Sequence, residues 1–163
     1  MKYSTMHTGT VESLYLAPRQ DAAVQKQASL QLLAGHGIRG DRYFLAQASL
    51  DTGPMSARKE ELTLIDAAQL EGFNERFKLN IPLGDFRRNI VTRGIDLNAL
   101  VGKRFRLGSA LCEGIELCEP CSKLARTVSP LVLPHLVHRA GIRAAIIESG
   151  DIRPGDTIAI LVN

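Results

Sequence analysis

The chain has 163 residues, 45% of them apolar and 23% charged, with a net charge of +3 and no tryptophan. That length and balance predict one globular unit over 1–163 with a sizeable core, and they exclude a disordered or collagen-like chain. No apolar run approaches the roughly 18 residues of a membrane span, and a charge of +3 with 5% aromatics is a poor match to a nucleic-acid polymer.

In chain order, the polar start Met1-Lys2-Tyr3-Ser4-Thr5 lacks the apolar core of a secretory signal, so a cytoplasmic address is expected. Residues 9–16 alternate β-branched or aromatic positions with polar ones, and Pro18 ends a first strand. The 35–42 stretch, GHGIRGDR, packs three glycines into a loop whose shape a side chain would forbid. Taken alone it reads as a tight turn with Asp41 and Arg42 paired on the surface; its alternative is a phosphate cradle of backbone N–H groups. A short buried strand over 62–65 leads to Asp66, placed to cap a helix in which Ala67, Leu70, Phe73 and Phe77 recur at helical spacing. Residues 89–92, 104–107, 110–117, 144–148 and 157–161 follow as strands between glycine turns. A shorter helix is expected over 131–137, where Pro130 and Pro134 blur the start. The sum is a mainly β chain with few helices, an antiparallel barrel or sandwich.

Charge is distributed unevenly. Six acids and two bases lie between Asp51 and Glu75, whereas Arg87, Arg88, Arg93, Lys103, Arg104 and Arg106 face Asp96 alone. A small phosphorylated ligand matches such a basic stretch. If Arg87 and Arg88 sit on a regular strand, they point to opposite faces, which predicts Arg88 inside a pocket and Arg87 at its rim.

Three cysteines, an odd number, suit free thiols or ligands better than a disulfide framework. Cys112 reads as a buried strand residue. Cys118 and Cys121 form a C-x-x-C that, with His135 and His138, approaches a zinc pattern, although the histidine spacing is one residue short of the usual three to five. Cys121 stands beside Lys123 and Arg126, cations that favour a thiolate, and such a sulfur can be a nucleophile, a sulfur carrier or a soft-metal ligand.

Taken together, GHGIRGDRYF at 35–44, LTLID at 62–66, RRNIVTRGIDLNALVGKRFRLGSALCEG at 87–114, EPCSKL at 119–124 and HRAGIRAAIIESGDIRPGDTIAI at 138–160 resemble the MOSC domain, the C-terminal domain of molybdenum cofactor sulfurase. The resemblance implies a compact β-barrel with a few helices, of the small stand-alone bacterial type. It implies binding of the molybdenum cofactor, a pterin dithiolene with a terminal phosphate, with Cys121 as metal ligand or persulfide carrier. By the same matching, Arg88 and Asn89 lie near the phosphate and pterin, Arg39, Asp41 and Arg42 come to the rim, and Lys123 joins the cofactor-binding group. The activity implied is reduction of small N-hydroxylated compounds with electrons from a separate donor. A sulfur carrier fed by a cysteine desulfurase and a zinc-stabilised binding module are the alternatives.

Overall fold

The structure, a computed structural model, describes residues 2–44 and 61–162; the acids and bases at 51–60 lie outside them. Eleven strands are described: β1 (Lys2–Leu16), β2 (Gln25–Gln27), β3 (Leu30–Leu33), β4 (Gly37–Ile38), β5 (Leu62–Asp66), β6 (Ile90–Arg93), β7 (Arg104–Leu107), β8 (Ala110–Leu117), β9 (Ile142–Glu148), β10 (Gly150–Ile152) and β11 (Thr157–Val162). The helices are α1 (Ala67–Phe77), α2 (Ser122–Thr127) and α3 (Val132–His135), with 3₁₀ turns at Leu83–Phe86 and Leu97–Leu100.

The strands run β11-β7-β8-β9-β5-β6-β1, and β1 pairs with β11 to close the ring. The fold is therefore mainly β, a seven-stranded barrel among the described residues, and closure removes the exposed edges an open sheet would carry. β2 extends beyond the ring on β1, while β10, β3 and β4 form a small separate sheet. One pairing departs from an antiparallel meander: β5 and β6 are parallel, with α1 in the crossover between them.

Alternation along the strands sorts the core into two layers. Leu62 and Leu64 of β5 and Ile90 of β6 point into the barrel with Phe105, Cys112 and Ile160. Their neighbours Ile65 and Val91 point outward and meet Leu70 and Phe73 of α1 together with Leu124 of α2, Val132 of α3 and Leu136 just beyond it. β5 is covered on both faces, so its four residues from Leu62 to Ile65 are all buried.

Asp66 caps α1 as its position predicts, its Oδ1 accepting from the Ala68 N–H at 2.9 Å. The predicted second helix is confined to Val132–His135, and the helix that begins after Cys121 is not legible from periodicity, being only six residues long. Gly141 lies where β9 approaches β5: an added Cβ would overlap the Leu64 carbonyl, and its φ of +98° suits glycine alone. Among the described residues no helix is long and apolar enough to cross a membrane.

Candidate functional site

The 118–124 segment, the residues just before β6 and the helical residues 42–43 surround a cavity of about 270 Å³. Among the described residues its wall carries five cations, Arg42, Arg87, Arg88, Lys123 and Arg143, and one carboxylate, Glu119. Cys121 is exposed on this wall, whereas Cys118, also on it, is only 2% exposed. Cys121 is the N-cap of α2, and its Sγ accepts from the Leu124 N–H at 3.5 Å, which holds the sulfur at the helix start.

The basic pair is not on a strand. Arg87 closes the 3₁₀ turn in a left-handed conformation, φ +63°, and β6 begins only at Ile90. Strict alternation is thereby broken and both arginines line the cavity, Arg88 buried and Arg87 partly exposed, so a turn and not a strand separates them. Arg88 is the more buried, at 9% exposure. Its guanidinium donates to the carbonyls of Ala140 at 3.0 Å, Cys118 at 3.2 Å and Phe86 at 3.4 Å. Arg87 donates to the carbonyls of Ala22 at 2.7 Å and Gln20 at 2.9 Å, and Lys123 Nζ donates to the same Gln20 carbonyl at 2.9 Å. These bonds hold the 17–24 loop beside the cavity. Burial, with the neighbouring Arg42 cation next in effect, lowers the Arg87 guanidinium from its ordinary pKa.

The turn at 35–42 does bring Asp41 and Arg42 together, at 3.1 Å, but the pair is buried, not on the surface. Asp41 Oδ1 also accepts from the Ala17 N–H at 3.1 Å, while Arg42 reaches the cavity and donates to the Arg87 carbonyl at 3.4 Å. Asp41 therefore anchors the wall from behind. Asn89 behaves alike: 1% exposed, it accepts from the Thr63 N–H and Oγ1 at 3.1 Å and donates to the Tyr15 carbonyl at 3.2 Å. Its amide is spent on β5, β1 and Asp41 and is absent from the cavity wall. Arg39 is exposed and also off the wall.

Arg143 of β9 and Glu119 lie within the stretches that carry the resemblance but are not among the site residues it implies, and both are on the wall. An arginine flanked by Ile142 and Ala144 in an apolar strand was the available signal, since alternation puts it opposite the core. Glu119 is held by His138, whose N–H donates to Oε1 at 2.7 Å and whose Nδ1 lies 2.6 Å from Oε2. His135 instead packs on Phe77 with ring centroids 4.6 Å apart. Among the described residues no three His, Cys, Asp or Glu side chains converge on a metal position, so the zinc arrangement of Cys118, Cys121, His135 and His138 is not formed. Cys112 lies inside the barrel, where burial pushes its thiol far up from the ordinary range.

A family model described as the MOSC domain matches residues 51–159. The chain belongs to the MOSC domain family. Its fold resembles that of the YuaD protein from Bacillus subtilis, with a TM-score of 0.79 at 18% identity over 94% of this chain and 95% of that one. YiiM from Geobacillus stearothermophilus aligns with a TM-score of 0.72 at 15% identity, covering 94% of this chain and 75% of its own, and YiiM from Escherichia coli with 0.66 at 17%, covering 96% and 70%. No curated protein matches in sequence. In MOSC terms, the cavity gathers the motif residues Cys121, Arg88, Arg42 and Lys123 on one wall and leaves Asn89 and Asp41 behind it.

Proposed function

We propose that this MOSC domain binds the molybdenum cofactor in the cationic cavity and reduces small N-hydroxylated compounds there. The observation that carries the reading is an exposed thiol, Cys121, on the same wall as Arg42, Arg87, Arg88 and Lys123. A soft sulfur donor suits an oxo-transfer metal, and guanidinium and ammonium groups suit a phosphate. The donor set fits the group: Arg88 keeps N–H donors beyond those given to carbonyls, and Lys123 is only partly buried. Cys121 would hold the metal and the cations the phosphate. When bound, the group supplies two-electron oxygen-atom chemistry. Around it, the side chains neutralise charge, orient the ligand and keep the sulfur at the start of α2. The net reaction breaks an N–O bond, takes an electron pair from a separate donor protein and protons from solvent, and releases water.

Metal and pterin analysis of protein made in a cofactor-competent host tests this. Molybdenum bound at one equivalent by the wild type and lost from Cys121→Ser is expected; equal retention by both sinks metal ligation by Cys121.

A sulfur-carrier reading draws on Cys118, a second free thiol on the same wall. There Cys121 would carry a persulfide from a cysteine desulfurase, and attack by the Cys118 thiolate would release the outer sulfur as sulfide and leave a disulfide. Mass spectrometry after incubation with a desulfurase and cysteine separates the readings, because only a carrier gains one sulfur that Cys121→Ser does not.

A further inference from the structure

The helical layer carries a groove that the cavity does not use. Gly72 and Phe77 of α1 and His135 of α3 line a depression of about 170 Å³, with Arg76 and Arg139 also on its wall and, among the described residues, no carboxylate. Neither arginine makes an ion pair among the described residues: Arg76 lies 5.0 Å over the Phe77 ring, and Arg139 donates its backbone N–H to the Leu136 carbonyl. Two observations make this more than a dent. Leu133 and Val137, at 41% and 45% exposure, are the exposed large apolar side chains among the described residues, and both belong to the segment that supplies the groove's α3 wall. Gly72 sits inside α1, where glycine costs helix stability, yet an added Cβ would meet no atom within 4 Å. The fold does not need that glycine; the depth of the groove does.

We propose that this groove docks an acidic amphipathic segment of a separate protein, with carboxylates on Arg76 and Arg139 and an apolar side chain over Gly72 against the Phe77 ring. Charge complementarity selects the occupant. A second copy of the chain on a two-fold axis would set one cationic groove against another, which repels. α3 shares its core with α2 through Leu124, Val132 and the adjoining Leu136, so a docked segment rests against a segment that packs on the helix Cys121 caps. The groove shares no lining residue with the cavity.

Fluorescence anisotropy with a labelled helical peptide of glutamate and leucine, and with its lysine and leucine counterpart, tests it on the full chain. The acidic peptide should bind with an affinity that falls as salt rises, and Arg76→Glu or Arg139→Glu should weaken it by about tenfold or more. Gly72→Leu should abolish binding while the melting temperature stays level or rises. No binding of the acidic peptide, equal binding of the basic one, or binding unaltered in Gly72→Leu overturns the proposal. Self-association that Arg76→Glu abolishes also overturns it, assigning the groove to a second copy.

Discussion

Arg88 and Lys123 stand on one wall, but their side chains are held differently. Arg88 satisfies three main-chain carbonyls, those of Ala140, Cys118 and Phe86, at 9% exposure. Removing it leaves buried acceptors unpaired, so Arg88→Ala should lose about 2–4 kcal/mol of stability in denaturant titrations, along with any loss of phosphate binding. Lys123 donates to the Gln20 carbonyl from a side chain 37% exposed to solvent. Lys123→Ala should cost less than about 1 kcal/mol of stability. It is therefore the cleaner probe of anion binding: its retention of inorganic phosphate, followed by calorimetry, should fall while its melting temperature holds. A Lys123→Ala protein that binds phosphate like the wild type would remove this residue from the anion site.

Helix α1 illustrates what one cap contributes at the level of an element. Asp66 accepts from the Ala68 N–H at 2.9 Å, and burial raises its pKa above the ordinary 3.8, outweighing the hydrogen bond and Arg93, which lower it. The folded state therefore binds the proton more tightly than the unfolded chain does. Stability then declines as pH rises from 3.8 through the raised value, and the cost is fully present at neutral pH. Asn keeps an accepting oxygen without the charge. Asp66→Asn should be at least as stable as wild type at pH 7 and should lose this part of the acid-side dependence, read from urea midpoints between pH 3 and 7. A variant less stable at pH 7 yet unchanged at low pH would show that the carboxylate charge, not only its oxygen, supports the helix start.

For the whole molecule, the approach of β9 to β5 ties the barrel to the cavity. Gly141 leaves no room for a Cβ against the Leu64 carbonyl, its own carbonyl accepts from the Cys118 N–H at 2.8 Å, and the adjacent Ala140 carbonyl accepts from Arg88. Gly141→Ala should cost more than about 3 kcal/mol, combining a forbidden φ with a backbone clash. The thiol next to this junction should respond as well, with faster alkylation of buried Cys118 in the variant than in the wild type. Wild-type stability in Gly141→Ala would mean that the strands separate there without cost.

The sequence by itself determined the elements whose cause is local. Glycine turns bounded the strands 104–107 and 110–117, because chain reversal needs residues free of a Cβ, and Asp66 with Ala67, Leu70 and Phe73 marked α1, because a cap and a 3.6-residue period act within one segment. Cys121 and the basic residues around it were likewise visible as chemistry. Tertiary structure alone decided the rest. The pairing of β1 with β11 joins the two ends of the described chain, a contact no local pattern encodes. The left-handed turn at Arg87 brings both arginines to one wall, where period-two alternation sent them apart. Asn89 and Asp41 are polar residues of a basic or glycine-rich stretch, yet the fold spends them inside, because buried N–H and carbonyl groups of β1 and β5 must find partners once water is excluded.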